Sequence, residues 1–214
     1  MLKTLLPLSA MRKLFVTGIG TDVGKTIVSA ILVEALKADY WKPIQAGFDN
    51  GTDTQLVKQL ISNNITTFFQ ETYLLKTPAS PHQAASNDGV EIELNKLILP
   101  NCSNKNLIIE GAGGLLVPLN NNDYVVDLIT HFDCEVVLVS RNYLGSINHT
   151  LLSIEALKSR GLKIAGIVFN GERNKSTEEI ILKKHDFPFF EYINQEEIIT
   201  KEIISAYSLK LNKI

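Results

Sequence analysis

Gly18-Ile19-Gly20-Thr21-Asp22-Val23-Gly24-Lys25-Thr26 is the stretch whose reading decides the fold. It follows a short apolar run, Leu14-Phe15-Val16, and leads into Ile27-Val28-Ser29-Ala30-Ile31-Leu32-Val33. Strand, glycine-rich loop and helix, in that order, are what a phosphate-binding loop requires. Glycines let backbone N–H groups turn toward an anion, and the helix N-terminus adds its dipole. Lys25 is placed to reach the terminal phosphates and the Thr26 hydroxyl to ligate Mg²⁺. Against the generic spacing G-x-x-x-x-G-K-[ST], the first glycine falls at Ile19, and Gly18 sits one position early. The competing reading is a glycine-rich surface loop.

The rest of the chain suits that loop. At 214 residues, with 45% apolar and 21% charged residues, it fits one α/β domain with a full core. The formal net charge of -2 gives no basic excess, which disfavours nucleic acid as a partner. Cys102 and Cys134 lie far apart with no C-x-x-C, so neither a zinc site nor a disulfide framework is suggested, and both read as reduced cytoplasmic thiols. No stretch approaches the length of a membrane span. Residues 1–10 are too short and proline-broken for a signal sequence. We expect them to form a poorly ordered extension, with Met11 as an alternative start, ahead of a single domain over 11–214.

Apolar runs alternate with amphipathic segments almost throughout. Strands are expected at Lys13–Thr17, Tyr40–Ile44, Thr72–Leu75, Leu107–Ile109, Glu135–Val139, Ile164–Phe169 and Phe189–Ile193. Helices are expected at Lys25–Lys37, Gln55–Ile61, just after Pro81, and at Glu93–Leu99, Val125–His131, Ile147–Ser159, Thr177–His185 and Glu196–Tyr207. Continuous Val/Ile/Leu strands separated by helices describe a mostly parallel sheet covered on both faces. Ligands of such sheets sit at the carboxyl ends of the strands, so the polar residues there are the candidates for chemistry.

Glu110, after the strand 107–109, stands where an acid holds Mg²⁺ beside phosphates; a helix-capping carboxylate is the alternative. Asp53, read in isolation, is an N-cap. Lys42, before Pro43, either faces phosphates or is a solvated charge. Asn170 either presents its amide to a base edge or forms an Asn-Gly turn with Gly171. His82 and His149 have no acid or cysteine at ligand spacing and read as structural.

Several blocks together carry a resemblance. Phe15-Val16-Thr17-Gly18 with Thr21 to Thr26, Lys42-Pro43-Ile44-Gln45-Ala46-Gly47, Asp53 and Ser80-Pro81-His82 occur in order. Glu110-Gly111-Ala112-Gly113-Gly114, Leu144-Gly145-Ser146-Ile147-Asn148-His149 and Asn170 come after them. In this the chain resembles the dethiobiotin synthetases from Met11 onward, and the early Gly18 is how that family's loop looks. The resemblance implies a P-loop NTPase fold and an ATP- and Mg²⁺-dependent cyclo-ligase of biotin synthesis. Its substrates would be 7,8-diaminopelargonic acid and CO₂ or bicarbonate, joined through a carbamate and a carbamic-phosphoric anhydride.

It also implies roles for residues. Lys42 and Lys25 are catalytic, neutralising phosphate and carbamate. Asp22, Val23, Gly24 and Lys25 wrap the triphosphate, and Thr26, Glu110, Gly111, Ala112, Gly113, Asn170 and Gly171 also bind the nucleotide, Asn170 at the adenine. The backbone after Glu110, with Thr21, grips the carbamate end of the substrate. Thr26, Asp53 and Glu110 hold Mg²⁺. Thr21, Lys42 and Ala46 face the substrate, and Gly145, Ser146 and Asn148 reach across a homodimer interface to its distal carboxylate. Two positions depart from the family. Ala46 replaces a Ser or Thr, leaving Gln45 or water to substitute, and Asn194 stands where a proline is common near the adenine. Two other P-loop classes fit less well. These 214 residues hold no glutaminase domain, as an amidotransferase-type synthetase requires, and Gly20-Thr21 replaces the early lysine of MinD/ParA-like switches.

Overall fold

A computed structural model of the chain describes residues 11–211, and the extension expected at 1–10 lies outside the described residues. Strand β1 (Arg12–Gly18) sets the layering. Leu14 and Val16 join the apolar cluster that holds helix α1 (Lys25–Leu36), whereas Phe15 joins the opposite cluster. A strand buried on both faces has no polar side to show, which is why its sequence runs apolar without alternation.

β1 is the middle strand of a seven-stranded sheet. From one edge the order is β4 (Phe68–Phe69), β2 (Asp39–Trp41), β6 (Asn106–Gly114), β1, β7 (Glu135–Arg141), β8 (Ile164–Asn170) and β9 (Phe189–Ile193). Every pairing is parallel. Helices α1, α2 (Asp53–Leu60) and α7 (Lys201–Leu211) supply one apolar layer. The other face is covered by α3 (Pro81–Asn87), α4 (Val125–Phe132), α5 (Ser146–Lys158) and α6 (Lys175–Lys184). This is the α/β architecture expected from the sequence.

Four local expectations are corrected. The segment 40–44 is not one strand: the chain leaves the main sheet after Trp41, and β3 (Ile44–Ala46) pairs with β5 (Tyr73–Leu75) in a separate two-stranded parallel sheet. Pro43 has no N–H to continue the ladder, and its carbonyl accepts from Thr72 and Tyr73 instead. Residues 72–75 therefore belong to the small sheet, and the main sheet ends at the two-residue β4, too short to leave a period.

Glu93–Leu99 forms only a 3-10 turn, Leu94–Lys96. Pro100 pushes Leu99 out of the helical region, and Ile92 and Leu97 are fully buried. The last helix begins at Lys201 rather than 196. The Tyr207 hydroxyl accepts from the Asn194 N–H and donates to Glu196, holding residues 194–196 as a loop. Finally, the strand expected to end at Ile109 runs on to Gly114, so Glu110 lies inside it.

Glu34 fastens α1 to the turn after α2. Its carboxylate accepts from the Ser62 and Asn63 backbone N–H groups, the Asn63 amide and Lys37. Burial raises its pKa, but Lys37 and the three N–H donors outweigh that and hold it at about 2, against an ordinary 4.5. Glu34→Ala is expected to cost about 2 kcal/mol at neutral pH by stranding those donors. A depressed carboxylate contributes stability that is complete above its ordinary pKa and lost as pH falls through the folded value. The gap between variant and parent should therefore close between pH 4.5 and about 2, as denaturant titrations across that window will show.

Candidate active site

The phosphate loop is tight because its neighbours leave no room. A Cβ on Gly18 would lie 2.4 Å from a Val23 methyl, which is the physical reason for the early glycine. Gly24 holds φ +96° at the start of α1, and a Cβ there would lie 2.1 Å from Asn170 Nδ2. That amide donates to the Val23 carbonyl at 2.9 Å. Asn170, at the end of β8, is thus docked on the loop. Arg141, at the end of β7, donates to the carbonyl of Asp22, whose φ is +56°. Lys25 folds back along the loop to the Gly20 carbonyl at 3.1 Å.

β6 brings the acid. Val16 pairs with Glu110 and Gly18 with Gly114, so residues 111–113 bulge from the ladder beside the loop. Glu110 is 1% exposed and carries donors on both oxygens. Its Oε1 accepts from the Thr26 hydroxyl at 2.9 Å and the Lys42 ammonium at 3.0 Å. Its Oε2 accepts from the Tyr40 hydroxyl at 2.9 Å. Lys42 comes just after β2, where the chain turns out of the sheet, and also donates to the Gly111 carbonyl and pairs with Asp53 at 2.5 Å. Asp53 is the first residue of α2; the cap is Thr52, in a capping box with Gln55.

The electrostatics are set by this packing. Burial lowers the Lys42 pKa, but Glu110 and Asp53 outweigh it and the net shift is upward, so Lys42 is a cation at neutral pH. Lys25 is pulled down by burial and by the charge of Lys42. Burial pushes Asp53 up, but Lys42 and Thr26 outweigh it and hold the carboxyl below its ordinary value. Burial and Glu110 push the Tyr40 phenol well up, which keeps it a donor.

A cavity of about 820 Å³ opens over these groups. It is lined by Thr21, Asp22, Gly24, Lys25, Thr26, Lys42, Ala46, Asp53, Glu110, Ala112 and Gly113, among others, and also by Ser80 and Pro81. Gln45 also borders it; its amide donates to the Gly47 carbonyl and accepts from the Asp53 N–H, which orients the start of α2. Gly171 lines a neighbouring cavity of about 460 Å³ with Arg173 and residues 194–197. Gly145 and Asn148 line a third, with Tyr143 and Arg173, and Ser146 is buried. Within one chain these last three are not brought to the phosphate loop.

Sequence reasoning missed Tyr40, Arg141 and Arg173. Tyr40 had a signal: it precedes Lys42 by two, and a strand's period of two puts both on one face. Arg173 had none. Its guanidinium lies 3.6 Å from the centre of the Tyr192 ring and is gripped through two nitrogens by Glu178.

This loop on this sheet defines a P-loop NTPase. Solved structures of that fold superpose over most of the chain: MinD complexed with Mg-ADP from Pyrococcus horikoshii has TM-score 0.57 at 15% identity, covering 95% of this chain and 96% of its own. A ParA family ATPase from Chlorobium tepidum has TM-score 0.53 at 15% identity, covering 94% and 99%. A family model described as "AAA domain" matches residues 12–202. The dethiobiotin synthetase BioD of Cytophaga hutchinsonii is 54% identical over 94% of this chain and 97% of its own, and that of Christiangramia forsetii 51% over 93% and 95%. The chain belongs to the ATP-dependent dethiobiotin synthetase family.

Gly24→Ala is expected to abolish tight nucleotide binding while leaving the fold. It adds about 1–2 kcal/mol of left-handed strain and drives Asn170 off the loop. Calorimetric titration with ADP, alongside a melting curve, checks both halves.

Proposed function

We propose that this chain uses ATP and Mg²⁺ to close the ureido ring of dethiobiotin from 7,8-diaminopelargonic acid and CO₂. One observation carries the reading. The buried Lys42 ammonium, held by Glu110 and Asp53, stands beside the Lys25 loop in one cavity, at a position matching the family's catalytic lysine. The N7 amine takes up CO₂ as a carbamate. The carbamate oxygen attacks the γ-phosphorus, the bond to ADP breaks, and a carbamic-phosphoric anhydride forms. The second amine then adds to the carbonyl carbon, phosphate leaves with the C–O bonding pair, and the ring closes.

No step of this reaction needs a covalent enzyme intermediate, so the side chains position reactants and offset charge. Lys25 and Lys42 supply two fixed cations for the phosphates and the carbamate. Asp22 to Lys25 wrap the triphosphate, Glu110 to Gly113 flank it, and Asn170 with Gly171 meet the base. Thr21 grips the carbamate end; at Ala46 water supplies the contact a hydroxyl would make.

The donors fit Mg²⁺. Thr26, Asp53 and Glu110 offer the hard oxygens that Mg²⁺ takes as ligands beside phosphate. Bound Mg²⁺ offsets charge on the phosphates. The two carboxylates also keep Lys42 charged and aimed.

A homodimer belongs to the proposal. Gly145 and Asn148 lie away from their own chain's phosphate loop, in a segment where Leu144 is fully exposed, and nearby Leu116 and Leu152 are also exposed. This supports their reaching a second copy's substrate carboxylate. A cytoplasmic location is proposed on the two buried, unpaired thiols, pushed up to about 12 by burial. Among the described residues, no helix is long and apolar enough to cross a membrane.

Purified protein given the diamine, bicarbonate, Mg²⁺ and ATP should release phosphate and yield dethiobiotin by mass spectrometry. Phosphate release indifferent to the diamine would overturn the reading in favour of an ATPase switch. Lys42→Ala should lose turnover on the order of 10²–10³-fold while ADP affinity changes far less; equal losses would make Lys42 only a phosphate anchor.

A further inference from the structure

Tyr40 is fully buried on β2, its ring among the apolar residues that α1 covers and 5.9 Å from the Phe68 ring. A phenylalanine would fill that space equally well, so packing does not account for the hydroxyl. Burying a hydroxyl costs free energy unless it is bonded. This one donates to Glu110 Oε2 at 2.9 Å, whereas Thr26 and Lys42 both donate to Oε1.

The two oxygens of Glu110 are therefore divided between different tasks. Oε1 faces the site; Oε2 is tied to the floor of the sheet. We propose that Tyr40 is a positioning residue that fixes the Glu110 carboxylate so that Oε1 is presented to the metal-nucleotide site. The inference rests on the proposed metal role of Glu110. Without the hydroxyl, Oε2 is free to turn toward Lys42, whose ammonium already lies 3.0 Å from Oε1. A carboxylate chelating the lysine through both oxygens is a poorer metal ligand. Removing groups that orient a metal ligand commonly costs metal affinity on the order of 10- to 100-fold.

The test uses Mn²⁺ as the probe, its binding to the enzyme–ADP complex followed by electron paramagnetic resonance, for the parent, Tyr40→Phe, Glu110→Gln and the double variant. Tyr40→Phe is expected to weaken Mn²⁺ on the order of 10- to 100-fold, to leave ADP affinity in chelator unchanged, and to raise the KM for Mg²⁺ more than it lowers kcat. If the effect runs through the carboxylate, the double variant binds Mn²⁺ no worse than Glu110→Gln alone. Tyr40→Phe that melts lower but binds Mn²⁺ like the parent overturns the proposal, as does strict additivity in the double variant. Unchanged Mn²⁺ affinity in Glu110→Gln instead overturns the metal role of Glu110 itself.

Discussion

The ammonium of Lys42, shared between Glu110 and Asp53, is the interaction on which the site depends. Two carboxylates, Glu110 buried and Asp53 partly so, converge on this ammonium, and a buried carboxylate is tolerated only with a cation and further donors in place. Lys42 provides the cation; the Thr26 and Tyr40 hydroxyls provide donors on Glu110. The arrangement is neutral once Lys25 is counted with it, and it is poised to receive a polyanion. Each member reads differently alone: Asp53 as an N-cap, Glu110 as a helix-capping carboxylate, Lys42 as a solvated charge. Together they make a charged cluster that a phosphate chain can complete.

Three departures from regular structure put those groups in reach of one another. The chain exits the main sheet at Pro43, which turns Lys42 inward and hands Asp53 to a helix anchored through Gln45. β6 bulges after Glu110, so residues 111–113 come alongside the loop. The loop itself closes on Val23 and Asn170, leaving no space for side chains at Gly18 or Gly24. The fold is shared with MinD and a ParA family ATPase, so it does not by itself choose the reaction. These irregularities are where Lys42, Asp53 and Glu110 are brought together.

Much of this was legible in the sequence, for reasons tied to particular residues. Strands buried on both faces leave long apolar runs, so β1, β6, β7 and β8 were plain, with boundaries off by a few residues. Glycines at 18 and 24 mark close approach, and Lys25-Thr26 marks the anion site. What was illegible was set by contacts distant in sequence. Asp53 looks like a cap until Lys42 is placed against it, and Glu110 looks like a strand end because a bulge has no periodicity. Pro43 announced an interruption but not that the chain would start a second sheet. Arg173, stacked on Tyr192, depends on a partner on β9 that no local pattern names.

The parallel topology has a consequence for how the molecule acquires activity. Thr26 meets Glu110 across a separation of 84 residues, and Lys42 meets it across 68. Parallel neighbours need long crossovers, and closing such loops is slow compared with forming helices or hairpins. The phosphate loop is itself held by Arg141 and Asn170, 119 and 147 residues away from their partners, and its acid arrives only when β6 docks between β1 and β2. A nascent or partly unfolded chain therefore lacks the assembled cluster, which exists only in the completed sheet. The same linkage runs in reverse: any ligand that binds only the assembled cluster stabilises the docked state by mass action.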